Sequence, residues 1–153
     1  MNVATHILLA TDFSESAEPA ISKAADLARL LDAKLTVLNV HGHPPGPPEA
    51  NVAPEKLLWS SDLDAESLEH LDELKKTRLA GIQWVALATA EDANPAHSIC
   101  EYAKMHDIDL IVVGTHGRGG VAHFFFGSVA EKVLRRAVCP VLVVPDIRVL
   151  AAC

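Results

Sequence analysis

Five short runs rich in β-branched and aliphatic residues recur along the chain, each followed by a stretch of helical period except the last. The runs are His6-Ile-Leu-Leu-Ala10, Leu35-Thr-Val-Leu-Asn-Val40, Ile82-Gln-Trp-Val-Ala-Leu-Ala88, Asp109-Leu-Ile-Val-Val113 and Val141-Leu-Val-Val144. The first intervening stretch carries Ile21, Ala24, Ala25, Ala28 and Leu31 at helical spacing. Pro19 is tolerable there only in a first turn, which predicts Ser16 as the cap. The others run from about Asp62 to Ala80, from Pro95 to about His106 and from Ser128 to about Ala137. Gly81 is a candidate terminator of the second. The order is therefore βαβαβαβαβ. Strands that are apolar throughout, rather than alternating, predict a parallel sheet covered by helices on both faces. Right-handed crossovers make it doubly wound, and ligands of such sheets sit beyond the carboxyl ends of the strands where the winding reverses.

The chain's 153 residues suit one domain spanning residues 1–153, and 50% hydrophobic with 22% charged residues is ordinary globular composition. A formal net charge of -7 argues against general nucleic-acid binding. Cys100, Cys139 and Cys153 lack metal-ligand spacing, and an odd number suits a reducing compartment, so a cytoplasmic location is expected. No signal peptide opens the chain, and its apolar runs fall far short of the roughly 20 residues that span a bilayer. Residues 41–54 contain five prolines and predict a surface loop without regular structure.

Chemistry concentrates after the fourth run. Its strand empties into a loop with glycines at 114, 117, 119, 120 and 127, and Ser128 then opens a helix. Glycine lets a backbone approach a ligand closely, and the first N–H groups of a helix lack internal partners, so this pattern suits a phosphate. At about 14 residues the loop far exceeds the usual βα connection of about 2 to 6. A Walker A loop is excluded because the chain has no Gly-Lys pair. Gly117-Arg-Gly119-Gly120-Val-Ala122 matches the dinucleotide fingerprint, yet it lies in the last βαβ unit with no second half behind it, so that reading is rejected.

The remaining pattern, Gly114-x2-Gly117-x9-Gly127-Ser128, resembles the nucleotide signature of the universal stress protein family. Gly-Thr-His-Gly-Arg-Gly-Gly, Gly-Ser-Val-Ala-Glu-Lys-Val-Leu-Arg and Cys-Pro-Val-Leu-Val-Val-Pro are similar to that family's C-terminal half. Ile-Leu-Leu-Ala-Thr-Asp12-Phe-Ser and Ala-Lys-Leu-Thr-Val-Leu-Asn-Val40-His resemble its first βαβ unit. The resemblance covers the whole chain except the proline-rich segment at 42–60. It implies a five-stranded parallel sheet of order 3-2-1-4-5, a homodimer through the final strand Val141 to Val144, and an ATP-binding subclass. It also implies that Asp12, beside Ala10 and Thr11 at the end of strand one, meets the adenosine moiety, and that Val40 contacts adenine. Val113, Gly114, Gly117, Gly127, Ser128 and Val129 match positions lining ribose and phosphates, with Thr115, His116, Arg118, Gly119 and Gly120 completing the loop. Ala10 departs from the proline or valine frequent there, and the proline-rich insert follows directly on Val40, where it is placed to cover the adenine.

The residues support this independently. Loop and helix N–H groups can donate to phosphate oxygens, the helix dipole adds roughly 0.3 to 1 kcal/mol, and Arg118 is the side-chain cation expected to contact them directly. Mg2+ is expected to ride with the triphosphate, since no carboxylate lies between Gly114 and Ser128. Other readings stand beside these. Ser128 and Glu131 have the spacing of a capping box, which needs no ligand. Asp12 suits a turn or helix start as well as a ribose partner. His41, His43 and His116 lie past strand ends, but zinc would want further ligands. Phe124 to Phe126 are core residues beneath the loop or, alternatively, a partner patch. Lys132, Arg135 and Arg136 either oppose the helix's negative end or face solvent. Functionally, an ATP-responsive regulatory module with an unknown protein partner competes with a slow ATPase or nucleotidyl-transfer enzyme and with a nucleotide-free interaction module.

Overall fold

The computed structural model describes residues 4–41, 59–60, 65–92, 94–115 and 127–147. Strands β1 (His6–Ala10), β2 (Lys34–His41), β3 (Trp59–Ser60), β4 (Val85–Glu91), β5 (Leu110–Gly114) and β6 (Val141–Val144) form one sheet of order β3-β4-β2-β1-β5-β6. β4, β2, β1, β5 and β6 pair in parallel, which is the order 3-2-1-4-5 expected for the five apolar runs. β3 is an addition, a two-residue antiparallel strand pairing Trp59 with Ala90 and Ser60 with Thr89. Helices α1 (Glu18–Leu31), α2 (Ala65–Thr77), α3 (Pro95–Met105) and α4 (Ser128–Arg136) connect the parallel strands.

The alternation of side chains along β1 divides the core in two. Ile7 and Leu9 join Leu35, Val37 and Val112 beneath α1 and α2, with Ile21 and Leu71 fully buried among them. Leu8 joins Leu38, Ile111 and Val113 beneath α3 and α4, against Ile99, Ala103, Ala130 and Val133. α1 buries Ala20, Ala24, Ala25 and Ala28, a small-residue face that lets the helix lie close to the sheet. Each fully buried leucine or isoleucine contributes about 1.5 to 3 kcal/mol relative to exposure.

Several boundaries differ from those predicted. A 3-10 turn at Glu15–Ala17 precedes α1, whose cap is Ala17, not Ser16, although Pro19 does fall in the first turn. β4 begins three residues later than the apolar run, because Ile82 N–H donates to the Leu79 carbonyl (3.2 Å) in the turn after α2. Gly81 occupies that turn at φ 81°. The ladder with β2 is joined at Trp84, whose carbonyl accepts Leu35 N–H at 2.9 Å while its side chain stays exposed.

At the amino end of the sheet, one carboxylate ties two strands together. Asp109 Oδ2 accepts Thr5 N–H, Thr5 Oγ–H and His6 N–H at 2.8, 2.8 and 2.9 Å. These hydrogen bonds, the Thr5 hydroxyl foremost, hold Asp109 below the usual carboxylate range. His6 Nε2 lies 2.8 Å from the hydroxyl of buried Thr36, and Tyr102 also bonds that hydroxyl. Burial, then the nearby Lys34 ammonium, pushes the His6 pKa down.

Candidate functional site

β1 and β5 are neighbours whose following helices cover opposite faces of the sheet, α1 one and α4 the other. A crevice opens at such a reversal, beyond the carboxyl ends. Ala10 pairs with Val113 in register, so Thr11 and Asp12 leave the sheet beside Gly114 and Thr115. The predicted residues from the first and fourth runs therefore line one edge.

The turn after β1 is tied at every residue. Thr11 N–H donates to the Leu38 carbonyl at 3.0 Å, and its hydroxyl accepts Phe13 N–H at 3.1 Å. Asp12 Oδ1 accepts the N–H and hydroxyl of Ser14 at 3.0 and 2.6 Å, and the Ser14 hydroxyl lies 3.0 Å from that of Ser16. Phe13 holds φ at 60°, a left-handed conformation that is costly for a bulky residue. Its ring stacks on His70 of α2 with centroids 5.3 Å apart. Asp12 is thus a turn residue, as one reading had it, placed at the carboxyl edge of the sheet.

On the other side of the reversal, Thr115 N–H donates to the Val144 carbonyl at 3.1 Å, and Gly127 N–H donates to the Thr115 carbonyl at 2.5 Å. The two ends of the glycine loop are therefore joined to each other. Gly127 is the cap of α4 and no side chain hydrogen-bonds there, so the capping-box reading of Ser128 and Glu131 does not hold. Ser128 is the first helical residue and exposed, and Glu131 instead accepts Arg135 Nη2–H and Nε–H at 3.0 and 3.2 Å. Lys132, Arg135 and Arg136 face solvent. α4 therefore opens on a glycine with no side-chain cap, beside Thr115 at the carboxyl edge of the sheet.

The predicted apolar contacts converge. Ala10, Val40, Val113 and Val129, drawn from four elements, all pack on the α3/α4 side of the sheet. Val40 is half-buried and pairs with Ala90 near the carboxyl end of β2. His116, Gly117, Arg118, Gly119 and Gly120, with His43 and Phe124 to Phe126, lie outside the described residues. Among the described residues no group of three or more His, Cys, Asp and Glu side chains could hold a metal ion. No described helix is long and apolar enough to cross a membrane. Cys100 and Cys139 pack in the core beneath α3 and α4, and burial pushes both thiols up, which suits small apolar residues rather than nucleophiles.

A family model described as "Universal stress protein family" matches residues 4–145. The chain belongs to the universal stress protein family. Among its relatives, a universal stress protein of Methanocaldococcus jannaschii is 32% identical over 145 residues, covering 94% of this chain and 83% of that one. The solved universal stress protein UspA of Lactobacillus plantarum shares 26% identity at a TM-score of 0.72, covering 94% of this chain and 99% of its own. A universal stress protein solved in complex with cAMP shares 25% identity at a TM-score of 0.69, covering 94% and 98%.

Two features of this universal stress protein were missed from sequence. Asp92, just past β4, accepts Asn94 N–H and the Ser98 hydroxyl at 2.8 and 2.6 Å, with His97 Nδ1 at 3.4 Å. Burial raises its pKa, but these hydrogen bonds outweigh it and hold the carboxyl below its ordinary value. The Asn-Pro at 94–95 marks the helix start but not the carboxylate before it. The second is Asn39, the amide inside an otherwise apolar β2, whose Nδ2–H donates to the Thr11 carbonyl at 2.9 Å.

Proposed function

We propose that this universal stress protein is a single-domain, adenine-nucleotide-binding regulatory module that retains ATP. The observation that carries the reading is the Ala10–Val113 register, which sets the Asp12 turn beside Gly114, Thr115 and the glycine-capped start of α4. In this reading Asp12 orients the ribose through its carboxylate, and Ala10, Val40, Val113 and Val129 form the apolar floor against the adenosine. Gly114, Thr115, Gly127 and Ser128 border the phosphates, and Gly117, Arg118 and the remaining loop residues are assigned to the same phosphates by the sequence pattern. The relative solved with cAMP supports an adenine nucleotide as the ligand class.

Mg2+ would accompany the phosphates, since the loop from Gly114 to Ser128 carries no carboxylate of its own. Asp12 Oδ1 already accepts two hydrogen bonds from Ser14, an arrangement suited to orienting a hydroxyl rather than to abstracting a proton. Retention, more than turnover, is the chemistry this edge favours. Nucleotide occupancy would then stabilise the state that binds it and shift the population presented to a protein partner.

The same reading includes a cytoplasmic homodimer. β6 ends the sheet, pairs only with β5 among the described residues, and is flanked by exposed Val138 and Ile147. An apolar edge of this kind is suited to pairing with a second copy. Sedimentation should give twice the chain mass, and Val143→Lys should halve it; a monomeric parent would end the dimer reading. Mass spectrometry of protein purified without added ligand should find an adenine nucleotide, and calorimetry of stripped protein should give saturable ATP binding. No heat up to millimolar ATP would refute the nucleotide reading.

A further inference from the structure

Asn39 lies at the carboxyl half of β2 with 4% of its surface exposed. Its neighbours Leu38 and Val40 pack on the α3/α4 side, so its own side chain projects to the opposite face, behind the crevice floor. There Nδ2 donates to the Thr11 carbonyl at 2.9 Å, the residue directly before Asp12. Oδ1 is buried and has no hydrogen-bond partner among the described residues. Flipping the amide would not relieve this, because it would set Oδ1 against the Thr11 carbonyl with two acceptors face to face.

The balance of these two ends is informative. A single neutral hydrogen bond contributes about 0.5 to 1.5 kcal/mol net, whereas a buried acceptor left unsatisfied costs about 1 to 3 kcal/mol. Leucine shares the branched outline, is bulkier, would extend the apolar run of β2 and would remove the unmet oxygen, but it would leave the Thr11 carbonyl without this donor. For folding alone, asparagine therefore has no clear advantage. What it supplies is direction, since it holds one carbonyl of a turn that contains a left-handed phenylalanine and would relax if released.

We infer that Asn39 is a positioning residue of the nucleotide site: it holds the Thr11 carbonyl, and through it sets where the Asp12 carboxylate stands for the ribose. This rests on the adenine-nucleotide reading above and deepens it. The residue touches no ligand and acts only through the turn.

The test is a double-mutant cycle on ATP affinity, measured by calorimetry together with thermal melting of the free protein. Asn39→Leu should weaken ATP binding about tenfold while the melting temperature of the free protein changes little, because the relief of Oδ1 offsets the loss of the bond to Thr11. In an Asp12→Asn background the same substitution should cost less than twofold, because the group it positions has already been altered. A tenfold loss in both backgrounds, or wild-type affinity in Asn39→Leu, would overturn the inference and leave the nucleotide reading intact. An affinity loss that merely tracks a lowered melting temperature would also overturn it, making Asn39 structural. Absence of ATP binding by the parent protein would remove the nucleotide reading itself. Should the leucine variant not fold, Asn39→Ser, too short to reach Thr11, carries the same cycle.

Discussion

The two ends of the sheet solve opposite problems with similar residues. At the amino end, Asp109 receives three donors on one oxygen, and the His6 and Tyr102 side chains both bond the Thr36 hydroxyl. At the carboxyl end, Asp12 is tied through Oδ1 to its own turn, Phe13 is held in a left-handed conformation, and Asn39 keeps a buried acceptor unmet. One end joins strands and the other places groups at the cost of local stability. That contrast is how a parallel sheet can carry a binding edge without loosening as a whole.

The sharpest way to break the comparison is to remove the two aspartates in turn. Asp12→Ala should lower ATP affinity by a hundredfold or more, about 3 kcal/mol for charge-assisted hydrogen bonds to a ribose, with a nearly unchanged melting temperature. Asp109→Ala should do the reverse, destabilising by about 2 kcal/mol in denaturant titration and leaving ATP affinity alone. If both variants lost affinity and stability together, the two ends would not be separable.

Thr36→Val is a smaller probe, expected to cost about 1 kcal/mol because it leaves His6 Nε2 and the Tyr102 hydroxyl without their shared partner. Acid should act on the amino end in two steps. Both His6 and Asp109 have folded pKa values below their unfolded ones, so in each case the unfolded chain binds more protons and stability rises with pH. The His6 contribution should fade as pH drops below about 6.5 through its folded pKa, and that of Asp109 only as pH drops below about 3.9. Melting temperature against pH should show the first step missing in His6→Gln and the second missing in Asp109→Asn. The smallest effect belongs to Asp32, which ends α1 at φ 51°, where glycine is free of the Cβ penalty. Asp32→Gly should stabilise by a few tenths of a kcal/mol.

Much of this architecture is legible in the chain. The apolar runs mark the five parallel strands because both faces of such a sheet are buried, and periodicity marks the helices. β3 is not legible, since Trp59–Ser60 is only two residues long. The late start of β4 is hidden because Ile82 is apolar and partly buried on the same side, though its N–H serves the turn after α2. At the site, glycine spacing and Asp12 point to the edge. They cannot show that Gly127 rather than Ser128 caps α4, because serine followed three residues later by glutamate is consistent with either. Asn39 stands out in hindsight as an amide within an apolar strand, but only the Thr11 contact gives it a role.

The bond between Gly127 N–H and the Thr115 carbonyl has a consequence for engineering. Because Thr115 and Gly127 are already joined by this bond, the stretch between them should be able to change length without moving the strand or the helix it joins. Doubling a loop costs only about 0.6 kcal/mol in closure entropy. A foreign peptide spliced between these two residues should therefore be displayed from an otherwise unaltered scaffold, turning a ligand-holding edge into an exchangeable socket.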